Sequence, residues 1–157
     1  MKVTLIMSAA LAASVFVSGV AIADADKAHE RILKYRQSVF AIVGNNMGAL
    51  GAMAKGKAPW NNDVVAERAA DLAAVANLNI MRGFPEDSDH GRTRAKPDIW
   101  LNSDDFAAKM DDFVKAANAL NKVAASGDQG AIKKGIGALG KTCKSCHKEY
   151  KTKDFPN

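Results

Sequence analysis

Alternating apolar and polar residues, the mark of a half-buried strand, are missing from this 157-residue chain. Cysteine and histidine are scarce as well, with two of the first and three of the second. A thioredoxin-type redox pair is excluded by the lack of a strand-rich context. A zinc site would need more ligands than these, because His29 and His90 lie far in sequence from the cysteines. Strong charge is missing too. The formal net charge is +5 and falls by one once Lys2 is removed, which is too mild to argue for nucleic acid.

The N-terminus carries Lys2 followed by an uncharged, apolar stretch from Val3 to Val20. Ala21-Ile22-Ala23 places small residues at the two positions that a signal peptidase reads. A retained membrane anchor is the alternative, since the run is near spanning length, but the cleavage site and the polar start after it favour removal. Residues 1–23 are therefore expected to be a cleaved secretory signal. Residues 24–157 form one exported domain, expected in a bacterial periplasm with no further membrane contact.

That domain reads as four helices. Asp24 to about Ala54 forms the first, with the stripe Arg36, Phe40, Val43, Met47, Leu50, Ala54 spaced by threes and fours. Lys55-Gly56-Lys57-Ala58-Pro59 stops it. Asn62 is the expected cap of a second helix carrying Val65, Leu72, Val75 and Ile80, which ends at Gly83 and Pro85. Residues 83–102 read as one long irregular connection. Ser103 then caps a third helix whose stripe is Phe106, Met110, Phe113, Ala117, Leu120 and Ala124, closed by Gly127. The fourth has Ile132, Ile136, Leu139, Cys143, His147 and Tyr150 on one face. Narrow stripes joined mostly by short links imply an all-α, antiparallel up-down-up-down four-helix bundle.

Near the end of the last helix stands Cys143-Lys144-Ser145-Cys146-His147. Two thiols followed at once by a histidine is the attachment pattern of c-type haem. At a spacing of three, both sulfurs project from one helix face and reach the two vinyl groups. His147, four residues from Cys143, brings an imidazole nitrogen under the iron as the metal ligand. A disulfide between the two cysteines would leave His147 without a role. Gly135, Gly137 and Gly140 precede the motif at a helix cost of about 1 kcal/mol each, explained either by a flat macrocycle lying close or by a tight helix crossing. Lys141, Lys144, Lys148, Lys151 and Lys153 gather around it, either as a solvated face or as a docking face for an acidic redox partner.

With a haem motif on the last helix of a four-helix bundle, the chain resembles the cytochrome c′ family, the class II c-type cytochromes. The resemblance spans the domain and rests on Lys34-Tyr35-Arg36-Gln37-Ser38, Lys55-Gly56-Lys57-Ala58-Pro59-Trp60, Lys96-Pro97-Asp98-Ile99-Trp100, and Cys143 to His147. It implies that His147 is the proximal ligand, that Cys143 and Cys146 hold one haem c, and that Arg36, Gln37 and Thr93 contact its propionates. Phe40 matches the position where low-spin members carry a ligating methionine and high-spin members a blocking group. A phenyl ring has no donor atom, so Phe40 implies five-coordinate iron. Met47 lies about 10 Å further along the axis and reads as packing. Lys151 stands where several relatives carry an arginine, so proximal-side ligand chemistry stays open. The family is often dimeric through its first two helices.

An open iron behind an apolar wall suits small diatomic gases, nitric oxide and carbon monoxide. A one-electron carrier is a compatible reading, and a low-spin cytochrome with a sixth protein ligand is the alternative. A haem peroxidase fits poorly, because the distal stripe offers no acid/base group but Arg36. No catalytic residue is expected.

Overall fold

The computed structural model describes residues 18–155, with side chains described from Asp24 onward. Of the expected signal segment, residues 1–17 lie outside the described residues. Four long helices make the bundle: α1 (Ser18–Ala54), α2 (Asn62–Ala76), α4 (Ser103–Ala124) and α5 (Gln129–Tyr150), with a single-turn α3 (Asp98–Leu101) ahead of α4. No strand occurs among the described residues, only an isolated antiparallel bridge between Ala95 and Lys151. α1 already begins at Ser18 and runs unbroken through Asp24, so it starts earlier than its polar residues suggested.

The stripes of α4 and α5 sit where the periodicity puts them. Phe106, Met110, Phe113, Ala117, Leu120 and Ala124 are all buried, and so are Ile132, Ile136, Leu139 and Tyr150. The two helices run antiparallel, as the cross-helix pairs Asp105–Tyr150, Lys109–Ser145 and Leu120–Gly135 require. α1 differs from expectation. Its core row is Leu33, Arg36, Val39, Val43, Asn46, Leu50 and Met53, while Phe40, Met47 and Ala54 flank it half-buried. The apolar spacing had merged two neighbouring rows into one.

The caps shift by one residue from those expected. Asn61, not Asn62, caps α2: its side-chain oxygen accepts from Asp63 N at 2.9 Å and Val64 N at 3.1 Å. Asn62 instead accepts from the Trp60 indole at 2.7 Å. Asn102 precedes α4 without a side-chain cap, and Ser103 lies inside the first turn, because α3 ends immediately before it. The second helix stops at Ala76, where Asn77 folds back on Ala73 O. Ile80 therefore belongs to a separate 3₁₀ turn, Ile80–Gly83, capped by Asn79. The connection from 83 to 102 is also less irregular than expected, since it holds α3 and the bridge to Lys151.

Gly56 and Gly127 close α1 and α4 at φ +70° and +69°, a region where a side chain would be strained. Asp128 caps α5 through Ala131 N at 3.0 Å. Of the three α5 glycines, only Gly135 shows one of the two expected reasons, the tight helix crossing. A Cβ on Gly135 would lie 3.1 Å from Leu120 Cδ1 and 3.3 Å from Val123 Cγ1, so this one serves the α4–α5 crossing. A Cβ on Gly140 would lie 3.9 Å from Met47 Cε, an ordinary contact, and one on Gly137 would meet nothing.

Candidate haem site

One cavity of about 650 Å³ opens between α1, α4, α5 and the segment after Gly83. Cys143, Cys146, His147, Arg36, Gln37, Phe40 and Thr93 all line it. Residues at the two ends of the sequence thus share one chamber, because α1 and α5 are neighbours in the bundle.

The α5 wall carries the attachment chemistry. Both cysteines are free and half-buried, on the face of α5 turned to the cavity. Burial pushes the Cys146 thiol up to about 11, with Lys109 opposing, and pushes Cys143 up as well. Burial pulls His147 down, and the cations of Lys151 and Arg94 pull it further. A neutral imidazole keeps the lone pair that a metal needs.

The α1 wall carries a buried cation. Arg36 Nε donates to Gly83 O at 2.6 Å, and Nη1 donates to Ser88 O at 3.0 Å and Thr93 Oγ1 at 2.8 Å. Nη2 donates to Ser88 Oγ at 2.5 Å. Its Cζ lies over the Phe84 ring, 4.3 Å from the centroid. Four of the five guanidinium N–H groups are thereby used, so Arg36 latches the 83–93 segment onto α1 and keeps one donor. No carboxylate lies in ion-pair contact with it among the described residues. Burial pulls its pKa down to about 10, against the pull of Asp89. A cation held this way at an apolar chamber fits a carboxylate ligand.

Thr93 accepts from Arg36 and from Ala95 N at 3.2 Å, which leaves its hydroxyl hydrogen free to donate. The Gln37 amide donates to Arg92 O at 2.6 Å and so anchors the same segment. Phe40 is half-buried against Phe84, ring centroids 6.3 Å apart at 72°.

Two thioether-forming sulfurs, a neutral imidazole, a buried guanidinium and an apolar chamber together fit a haem with two propionates. A sequence profile described as Cytochrome C′ matches residues 31–151.

The chain belongs to the cytochrome c′ family.

It is 38% identical over 122 residues to the cytochrome c′ of Rubrivivax gelatinosus, covering 77% of this chain and 94% of that one. With the cytochrome c′ of Allochromatium vinosum it shares 35% over 152 residues, covering 94% and 93%. Among solved structures, the Shewanella frigidimarina protein superposes with a TM-score of 0.76 at 40% identity, covering 79% and 96%. A nitric oxide complex of a cytochrome c′ variant from Alcaligenes xylosoxidans superposes at 0.72 and 27% identity, covering 80% and 97%. Like its relatives, this cytochrome c′ takes one covalently attached haem c, through Cys143 and Cys146.

Sequence reading missed Phe84, Ser88, Arg94, Lys109 and Phe155, of which all but Ser88 line the cavity. Phe84 and Arg94 lie in a segment without periodicity, where no pattern marks an inward side chain. Arg94 donates from Nε to Thr152 O at 2.9 Å and from Nη2 to Lys153 O, and both Arg92 and Arg94 lie over the Phe155 ring. These contacts fold the tail across the His147 side of the chamber.

Proposed function

We propose that this cytochrome c′ is a periplasmic, five-coordinate, high-spin haem protein that binds small diatomic gases and carries one electron. The bound haem supplies an iron with one open coordination position and a one-electron couple. Cys143 and Cys146 fix the group to α5, His147 ligates from the proximal side, and Arg36 and Thr93 offer donors to the propionates. Gln37 acts by holding the segment that supplies Thr93.

Phe40 carries the reading. It stands on the distal wall without a donor atom, backed edge-on by Phe84. Met47, which has a donor sulfur, borders the cavity but lies about two helical turns beyond Phe40 and packs toward Gly140 of α5. An apolar wall of this kind admits an uncharged diatomic molecule more readily than water or an anion, whose hydration it cannot replace. The same wall argues against an enzyme, since the side chains beside Arg36 on it, Phe40, Val43 and Met47, carry no acid or base. The nitric oxide complex of the Alcaligenes xylosoxidans relative supports the gas reading.

Electron transfer is supported by α5, which carries no acidic residue from Gln129 to Lys148 while Lys141, Lys144 and Lys148 are exposed beside the haem motif. An acidic redox partner fits that face. A homodimer through α1 and α2 would cover Ile42, which is 46% exposed. Residues 1–23 act as the export signal.

Electronic spectra of the ferric and ferrous protein, with and without nitric oxide, test the reading. The expected ferrous spectrum is high-spin and changes on adding the gas. A ferrous spectrum that is low-spin without added ligand would overturn it.

A further inference from the structure

Tyr150 ends α5, three residues after His147, and its ring lines the same cavity. The residue is 5% exposed, and its ring lies edge-on to Phe106 at 5.2 Å. Its hydroxyl donates to Asp105 Oδ2 at 2.5 Å. Asp105 is at the other end of a short path, because it is exposed to solvent and Lys109 Nζ holds the same oxygen at 3.5 Å. Lys109 in turn reaches Ser145 Oγ, between the two cysteines, at 3.4 Å. A buried phenol beside the haem chamber is therefore hydrogen-bonded to a carboxylate that touches water. Neither the gas reading nor the electron-carrier reading uses this pair.

Apart from the His147 imidazole, the other rings that line the chamber are phenyls: Phe40, Phe84, Phe106, Phe113 and Phe155. A phenyl ring gives up an electron far less readily than a phenol. A phenol does so readily only when its proton can leave at the same moment, since the radical cation is a very strong acid. Tyr35, the chain's second tyrosine, lacks that partner: its hydroxyl donates to the Asn79 carbonyl at 3.0 Å, which cannot take a proton. Burial and the Asp105 bond push the Tyr150 phenol up to about 12, so it keeps its proton at neutral pH until an electron leaves.

We propose that Tyr150 and Asp105 form a proton-coupled electron relay that drains an oxidising equivalent from the haem when the protein meets hydrogen peroxide. Peroxide takes up two electrons as its O–O bond breaks, which brings both of its oxygens to the oxidation level of water. One electron comes from the haem and the other from Tyr150. As that electron leaves, the Tyr150 O–H proton moves to Asp105, giving a neutral phenoxyl radical and a carboxylic acid that releases its proton to water. The distal wall offers no acid to assist peroxide cleavage, so the reaction is slow. The relay is protective: it moves the damage from the macrocycle to a side chain that an external one-electron donor can restore.

The test is electron paramagnetic resonance of the ferric holoprotein, frozen after mixing with one equivalent of hydrogen peroxide. Wild type and Tyr35→Phe should show a tyrosyl radical, and Tyr150→Phe should not. Asp105→Asn, an exposed change that leaves the phenol in place, should lower the radical yield several-fold. Haem bleaching should be faster in Tyr150→Phe than in wild type. The proposal is overturned by a wild type without the radical, by a radical that survives Tyr150→Phe or resides on a tryptophan, or by an Asp105→Asn yield equal to wild type.

Discussion

Replacing Phe40 by alanine separates the distal wall from the rest of the fold. On the proposed reading, a gas reaching the iron in wild type must move the Phe40 ring off Phe84, which it meets edge-on at 6.3 Å. An aromatic pair of this kind is worth about 0.5–1.5 kcal/mol beyond area burial. Removing that cost from the barrier should speed association by about two- to tenfold, since about 1.4 kcal/mol is a factor of ten in rate. The stability cost should stay below the roughly 3–5 kcal/mol of a fully buried Phe→Ala change, because Phe40 is half-buried and already borders a cavity. A loss of about 2 kcal/mol is expected. Stopped-flow mixing of the ferrous protein with carbon monoxide measures the rate, and urea unfolding of the same preparation measures the cost. A folded Phe40→Ala protein with a wild-type association rate would refute the gating role. Phe40→Met is the counterpart: it should turn the ferrous spectrum six-coordinate and low-spin, and a spectrum that stays high-spin would show that position 40 is not over the iron.

Four further outcomes are expected. The Cys143→Ala, Cys146→Ala double variant should release its haem into acidified acetone after denaturation, whereas wild type should retain it. N-terminal sequencing of protein from the periplasmic fraction should begin at or within a few residues of Asp24, and an intact Met1 would count against export with cleavage. Gly137→Ala should stabilise the protein by up to about 1 kcal/mol in urea unfolding, while Gly135→Ala should not, because its Cβ would press on Leu120 at 3.1 Å. Asp105 is held below the usual carboxylate range first by the Tyr150 hydroxyl and then by Lys109. Its contribution is therefore present above about pH 4 and lost as pH falls through the folded value, so Asp105→Asn should flatten the acid limb of a stability–pH profile.

The bundle was legible wherever burial follows the helical period. The α4 row from Phe106 to Ala124 needed no information beyond its spacing. The attachment motif was legible because it is local: Cys143, Cys146 and His147 sit within five residues on one helix. α1 was harder, because Arg36 and Asn46 are buried polar residues inside an apolar row, and hydrophobicity alone assigns them outward. Arg36 was expected to contact a propionate through family resemblance, but its four bonds to Gly83, Ser88 and Thr93 lead to a segment whose path no period encodes. The displaced caps have a simpler cause. Asn61 and Asn62 are chemically identical, and the choice between them rests on backbone angles, with Asn61 extended at φ −141°.

Of the pairs of long helices that pack side by side, α1 with α5 has the slightest direct contact, because the cavity lies between them. Arg36 and Cys143 nevertheless face one chamber from positions more than a hundred residues apart in sequence. Closing so long a loop costs chain entropy that only contacts across the gap can offset. α4 and α5 form a hairpin of nearby residues and need no such help. The haem should therefore set how cooperatively the molecule unfolds: bound, it welds the first helix to the last, and the bundle melts as a single unit.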